Sequence, residues 1–317
     1  MRLAFLLGAG ASKGAGHITP KQPPLGGELY SELTQRFPDS WGTLPNEIDA
    51  LFRAHFEVGM DHLWKYEGGG ASLLLSEMAL YFSEFEPSTD GSDNYSRLLV
   101  WLKNRNLISK TAFATLNYEC LLDVAANRQG LKIAHNAIPG LPRPGHPPPG
   151  NVLIWKPHGA CNLLPQVEVY GGCFDMSADA LNRSAYYKGP LRALRLVDVR
   201  NKYLTGYSLP PAMSLFAPGK FTPVASEYVN IQRQEWGSWA KTSNLIVIIG
   251  AHPLLADDHV WQPIVESRVP VLYVGGTDGG DYEVFRRKLR GKLKVIGHRF
   301  DVSLPVLLAR LEGMNKA

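Results

Sequence analysis

Two residues of this 317-residue sequence join side chains suited to catalysis with positions where catalysis is commonly done. Asn117 lies in Thr115-Leu116-Asn117-Tyr118-Glu119 and His158 in Lys156-Pro157-His158-Gly159, each after a short apolar run that reads as a strand. A carboxamide can hold a sugar hydroxyl or an attacking water, and an imidazole can act as a base near neutral pH. The pair suits a reaction in which positive charge builds on a sugar while the leaving group departs neutral, so that little acid is needed. Cleavage of a nicotinamide–ribose bond is such a reaction, and it asks for a dry pocket, a polar group and a base. Taken singly, a His-Gly turn is more often structural. Cys120 and Cys161 follow the two residues by three positions each. A thiol nucleophile is the alternative they raise, but free cysteines mostly pack as small buried groups. His252, Asp257, Asp258 and His259 are metal-ligating types whose spacing matches no standard zinc pattern.

A third motif, Gly8-Ala9-Gly10-Ala11-Ser12, follows the apolar run 2–7 and precedes a helix-like segment. Small residues there let backbone N–H groups come close to a pyrophosphate, and a helix N-terminus adds a favourable field. It is not the dehydrogenase fingerprint: Lys13 stands where G-x-G-x-x-G needs its third glycine. No acidic residue ends a second strand about 20 residues on, as ribose binding in that family requires. Glu28 has the spacing but opens a helix.

These motifs need elements to hold them. Strands are expected at 2–7, 111–116, 151–156, 244–249 and 269–274, each ending in glycine or a small polar motif. Helices are expected at about 28–36, within an aromatic stretch 46–86, at 94–106, up to about 129, at 226–242 and 258–267, and through the C-terminal region. The proline-rich 138–150 reads as a surface loop, and 165–223 as irregular. In open parallel sheets the ligand sits at the carboxyl ends of the strands, where these motifs repeatedly fall. The expected fold is therefore α/β: a three-layer, doubly wound, Rossmann-like parallel sheet in one domain, 1–317. A helical insertion is expected at about 40–110 and an irregular one at about 165–223.

Composition narrows the classes. Hydrophobic residues at 45% and charged residues at 20% are globular values. Net charge is +4, and the one basic cluster, Arg286, Arg287, Lys288, Arg290, Lys292 and Lys294, reads as a solvated helix face rather than a nucleic-acid patch. Three cysteines without a CxxC pair fit a reducing compartment and cannot supply a four-thiolate zinc site. The N-terminal apolar run is too short for a signal peptide and no stretch is long enough to span a membrane, so the cytoplasm is expected.

In order along the chain, several segments resemble the sirtuin-like NAD-binding family. They are Leu7-Gly8-Ala9-Gly10-Ala11-Ser12, Pro24-Leu25-Gly26-Gly27-Glu28-Leu29, Thr115 to Glu119, His158-Gly159, Pro218-Gly219-Lys220 and Ile248-Ile249-Gly250-Ala251-His252. The resemblance implies a sirtuin-type fold with NAD bound as substrate. Gly8, Ala9, Gly10, Ala11 and Ser12 would line the diphosphate and the nicotinamide ribose. Asn117 would contact that ribose or orient water, and His158 would be the base. Gly250 and His252 would sit near the phosphates, and Gly275 and Gly276 beside the adenosine. Three departures set the chain apart from deacylating sirtuins. Only Cys161 and Cys173 follow the His-Gly turn, Ile18 to Leu25 lacks the Phe-Arg pair, and Glu119 replaces an aspartate. These departures resemble the bacterial sirtuin-like effector branch, whose members hydrolyse NAD in antiphage defence, often as oligomers held silent by a partner. The resemblance thus implies an NAD glycohydrolase without zinc, a homo-oligomer, and a possible defence-system partner protein. Its rivals are a module that senses NAD or ADP-ribose without turnover, and a protein deacylase or ADP-ribosyltransferase. The 165–223 segment is a candidate inhibitory cover and the aromatic 46–86 helices a candidate oligomer interface, although such apolar helical surface is more often core.

Overall fold

The computed structural model describes residues 1–66, 69–134, 151–165, 191–206, 209–214 and 224–316. In chain order the strands are β1 (Leu3–Leu7), β2 (Ile18–Thr19), β3 (Glu86–Pro87), β4 (Thr111–Thr115), β5 (Lys132–Ala134), β6 (Asn151–Trp155), β7 (Leu163–Pro165), β8 (Leu191–Ala193), β9 (Leu245–Ile249), β10 (Val271–Val274) and β11 (Leu293–Gly297). The helices up to the middle of the chain are α1 (Ala9–Lys13), α2 (Gly26–Arg36), α3 (Asn46–Ala54), α4 (Phe56–Tyr66), α5 (Gly69–Ser83), α6 (Asn94–Asn104) and α7 (Leu121–Arg128). Beyond it lie α8 (Leu196–Leu204), α9 (Ser226–Thr242), α10 (Asp258–Ser267), α11 (Gly280–Lys288) and α12 (Phe300–Lys316).

Seven strands form one sheet in the order β11-β10-β9-β1-β4-β6-β5, every pair parallel. From β1 the chain builds outward through β4 to β5 and β6, then crosses to β9 and builds the other way. The reversal lies between β1 and β9, so a crevice opens there at the carboxyl ends of the strands. Every residue of β1, β4 and β9 is buried, which is why β1 and β9 read as unbroken apolar runs and β4 as an apolar centre between Thr111 and Thr115. Alternate residues serve opposite faces. Leu3, Phe5 and Leu7 join the core shared with α6, α7 and α12, and the Phe5 and Phe113 rings stack at 4.9 Å. Ala4 and Leu6 face the core carrying Trp236 and Trp239 of α9, Trp261 of α10 and Phe285 of α11. Two sheet faces covered by helices make the three layers, as expected.

The strand count differs from expectation. β5 and β11 add an edge strand on each side of the five expected. The basic cluster is thereby divided: Arg286, Arg287 and Lys288 end α11, while Lys294 lies on β11. Lysine on an edge strand discourages pairing with another sheet. Helix α6 packs with α7 and α12 on the sheet, Tyr95 against Phe300 at 5.8 Å. Its start is set by Asp93, whose carboxylate accepts from Ser96 N at 2.9 Å. Within the aromatic stretch Phe52, Phe56, Met60, Leu63, Leu75 and Met78 are all buried, the core reading of these helices, while Val58 and Leu73 are exposed. Tyr30, Trp41, Phe52 and Phe56 form one ring cluster there. The described part of the segment expected to be irregular holds β8 and the nine-residue α8. Its remainder, with Cys173 and Pro218-Gly219-Lys220, lies outside the described residues, as does the proline-rich 138–150. No helix among the described residues is long and apolar enough to cross a membrane.

Candidate active site at the switch point of the sheet

A cavity of about 880 Å³ opens at the carboxyl ends of the strands, within the usual range for a ligand cleft. Gly8, Ala9, Gly10, Ser12, Asn117, His158, Gly250, His252, Gly275 and Gly276 all line it. Ala11 does not; it is fully buried in the core beneath the α1 turn.

The glycines of the first motif have a cause beyond ligand approach. A Cβ on Gly8 would lie 2.6 Å from Ala251 Cα, and one on Gly10 would lie 2.9 Å from Gly250 Cα. Gly250 has φ +62°, and a Cβ there would lie 1.9 Å from Ala11 N. The ends of β1 and β9 therefore touch backbone to backbone. The N–H groups of Gly8, Gly10 and Ala11 already donate, to Ile249 O at 3.0 Å, Gly250 O at 2.9 Å and Gly8 O at 2.9 Å. The expected cradle of free N–H groups is thus partly spent on closing the turn. Ala9, exposed and on the cavity wall, is where the turn meets solvent. Glu28 is likewise occupied: as third residue of α2 it accepts from Leu25 N at 2.8 Å and from Lys13 Nζ at 2.7 Å.

Asn117 is held by a buried network. Its Nδ2 donates to Gly8 O at 3.0 Å and to Ser12 Oγ at 2.8 Å. A carbonyl only accepts, so the nitrogen must face Gly8, and Oδ1 is what the amide has left for the cavity. Ser12 Oγ donates to Glu119 Oε1 at 2.5 Å and lies 2.9 Å from Tyr95 OH. A hydroxyl has one hydrogen and two lone pairs, so Ser12 gives its proton to Glu119 and accepts from Asn117 and Tyr95. The hydroxyl is consumed in positioning Asn117. Burial pushes the Glu119 carboxyl above its ordinary range, while hydrogen bonds from Ser12 and Leu121 N pull the other way. Burial likewise pushes the Tyr95 phenol well up, with the Glu119 charge adding to it.

His158 reaches the cavity from the turn after β6. Gly159, at φ +75°, lets that turn press on the 211–213 segment; a Cβ would lie 1.8 Å from Ala212 O. His158 Nε2 stands 3.7 Å from Asp257 Oδ2, both side chains buried, and its ring lies 5.4 Å from that of His259. The 252–259 set therefore divides, His252 to the cavity and Asp257 toward His158. Among the described residues no three His, Cys, Asp or Glu side chains group to hold a metal. Cys120 and Cys161 face each other at 3.8 Å in the core and are not cavity residues. Beside them Lys156 Nζ donates to Asp123 at 2.7 Å. Burial alone would lower the Lys156 pKa, but Asp123 and the thiols more than offset it, so the ammonium stays charged.

Reading the sequence did not single out Tyr95, nor Asp257 as a partner of His158. Nor did it single out the cavity residues Phe82, His298 and Arg299, which arrive from distant segments. No local spacing marks such pairings. Asp257 was visible only as one of four metal-ligating types.

No family model matches the chain, and no curated protein matches its sequence. Among solved structures it is similar to Sir2 proteins. One, solved for the mechanism and regulation of Sir2 enzymes, is 13% identical with a TM-score of 0.49, over 99% of this chain and 93% of that one. Sir2Tm bound to a propionylated peptide is 13% identical at a TM-score of 0.45, with 99% and 93% covered. Sir2 with a p53 peptide and NAD+ is 13% identical at 0.44, again with 99% and 93% covered. Overlays this loose carry nothing about chemistry, which rests here on the cavity.

Proposed function

We propose that this chain is an NAD glycohydrolase, releasing nicotinamide and ADP-ribose. The observation that carries the reading is one cavity at the sheet's reversal, joining the Gly8–Gly10 turn to an oriented Asn117 amide and to His158. Asn117 Oδ1 would hold a ribose hydroxyl or the attacking water. His158 would take the proton as the water adds to the anomeric carbon and the bond to the nicotinamide nitrogen breaks. Leu29, Phe82 and Leu116 give that wall an apolar lining that excludes bulk water. Lys13 and Arg299 reach the cavity wall paired with Glu28 and Asp301, and a diphosphate would compete with those carboxylates for them. Gly250 and His252 would lie near the phosphates, and Gly275 and Gly276 beside the adenosine.

Incubating the protein with NAD and separating the products tests the reading. Nicotinamide and ADP-ribose should appear, and His158→Ala or Asn117→Ala should cut their formation by roughly 10²–10⁴-fold. NAD binding without nicotinamide release would instead make the chain a sensor. Release only with an acyl-lysine peptide or acceptor protein would make it a deacylase or transferase. The reading extends to a single-domain, zinc-free, cytoplasmic effector of antiphage defence, homo-oligomeric and held silent until a partner or ligand signals. An enzyme that destroys NAD without restraint would kill its host.

A further inference from the structure

Asp257 occupies the N-cap of α10, where an aspartate ordinarily accepts a hydrogen bond from the first helical turn. Its carboxylate makes no such cap bond. The backbone serves instead, Asp257 O accepting from Val260 N at 2.8 Å. The carboxylate lies 3.7 Å from His158 Nε2, with the two side chains 5% and 6% exposed. That is too long for a hydrogen bond and well inside the range where an opposite charge stabilises an imidazolium in a poorly solvated place.

We propose that Asp257 is a positioning residue for His158, an anionic partner that keeps its imidazole basic despite burial. Other groups surround the pair. From α9, Arg233 donates to Pro157 O at 2.9 Å and to Ser214 Oγ at 3.1 Å, and its charge acts on Asp257. From α10 comes the His259 ring, 5.4 Å from that of His158. From the segment after β4 comes Tyr118, whose hydroxyl donates to Ser214 O at 2.8 Å. Burial and the Arg233 cation oppose protonation of His158, and the Asp257 carboxylate 3.7 Å away favours it; from α4, the Glu57 charge acts on the neighbouring Tyr118. The effect on rate rests on the glycohydrolase reading, whereas the pairing does not.

Histidine-labelled full-length protein, titrated by NMR, tests the two separately. The His158 signal among nine histidines is the one lost in His158→Gln. In the unsubstituted protein its midpoint should lie at or above the ordinary value of about 6.5. Asp257→Asn should lower it by roughly one pH unit or more, and Asp257→Glu should keep most of it. The acid limb of nicotinamide release should move down with it, kcat falling while KM for NAD holds. A midpoint in the unsubstituted protein well below an ordinary histidine overturns the proposal, even if Asp257→Asn does not fold. So does a midpoint that the substitution leaves in place. A shifted midpoint in a chain that releases no nicotinamide upholds the pairing and overturns the glycohydrolase reading instead.

Discussion

Replacing Ser12 with alanine removes one oxygen and three hydrogen bonds, to Tyr95, Glu119 and Asn117. Tyr95 is 1% and Glu119 4% exposed, so neither can turn to bulk water. Each buried group left without its partner costs about 1–3 kcal/mol. Asn117 keeps Gly8 O and lines the cavity, where water can take the vacated place, so its loss adds little. The expected destabilisation at pH 7 is about 2–5 kcal/mol. In urea that is a fall in midpoint of roughly 1 M, for a slope near 3 kcal/mol/M. Its pH dependence has a defined sign. Burial already holds the Glu119 carboxyl above its ordinary range, and the Ser12 hydrogen bond moderates this. A raised acid favours the fold below its unfolded pKa and loses that contribution as pH climbs through its folded pKa. Deleting Ser12 raises the carboxyl further and widens that window upward. The variant should therefore trail the unsubstituted protein most at pH 7 and least near about pH 5. Urea unfolding followed by tryptophan fluorescence at both pH values measures it. A loss under about 0.5 kcal/mol at pH 7, or a larger loss at pH 5, would refute the hub geometry.

Gly10→Val should destabilise the fold, because its Cβ meets Gly250 backbone at 2.9 Å, so it makes a poor probe of binding. Ala9→Tyr puts bulk on the exposed wall and should abolish NAD binding by calorimetry with thermal stability kept; intact binding would move the ligand off this turn. Elemental analysis of protein purified without chelators should find no stoichiometric zinc, since three cysteines cannot make a four-thiolate site. Light scattering and NAD consumption on one sample should show a self-associated, weakly active chain; a fully active monomer, harmless when overproduced, would refute the restrained-effector reading.

The sequence alone determined the inner strands and the small-residue and polar motifs that end them. β1 and β9 are legible because a strand covered on both faces must be apolar throughout, and its end is marked where glycine or a polar residue takes over. Asn117 and His158 were legible from their places two and three residues beyond the ends of β4 and β6. The edge strands β5 and β11 were not, because a short strand with exposed lysines lacks that signature. Tertiary structure alone decided which way the Asn117 amide points, since Ser12, Glu119 and Tyr95 reach it from α1, the segment after β4, and α6. It also decided what the glycines are for. Gly8 and Gly10 look like room for a phosphate in sequence, but the fold spends much of that room on the crossing of β1 and β9. The pairing of His158 with Asp257 belongs to the same class. Side chains far apart in sequence meet only where the sheet reverses, and no local pattern encodes a distance across that crevice.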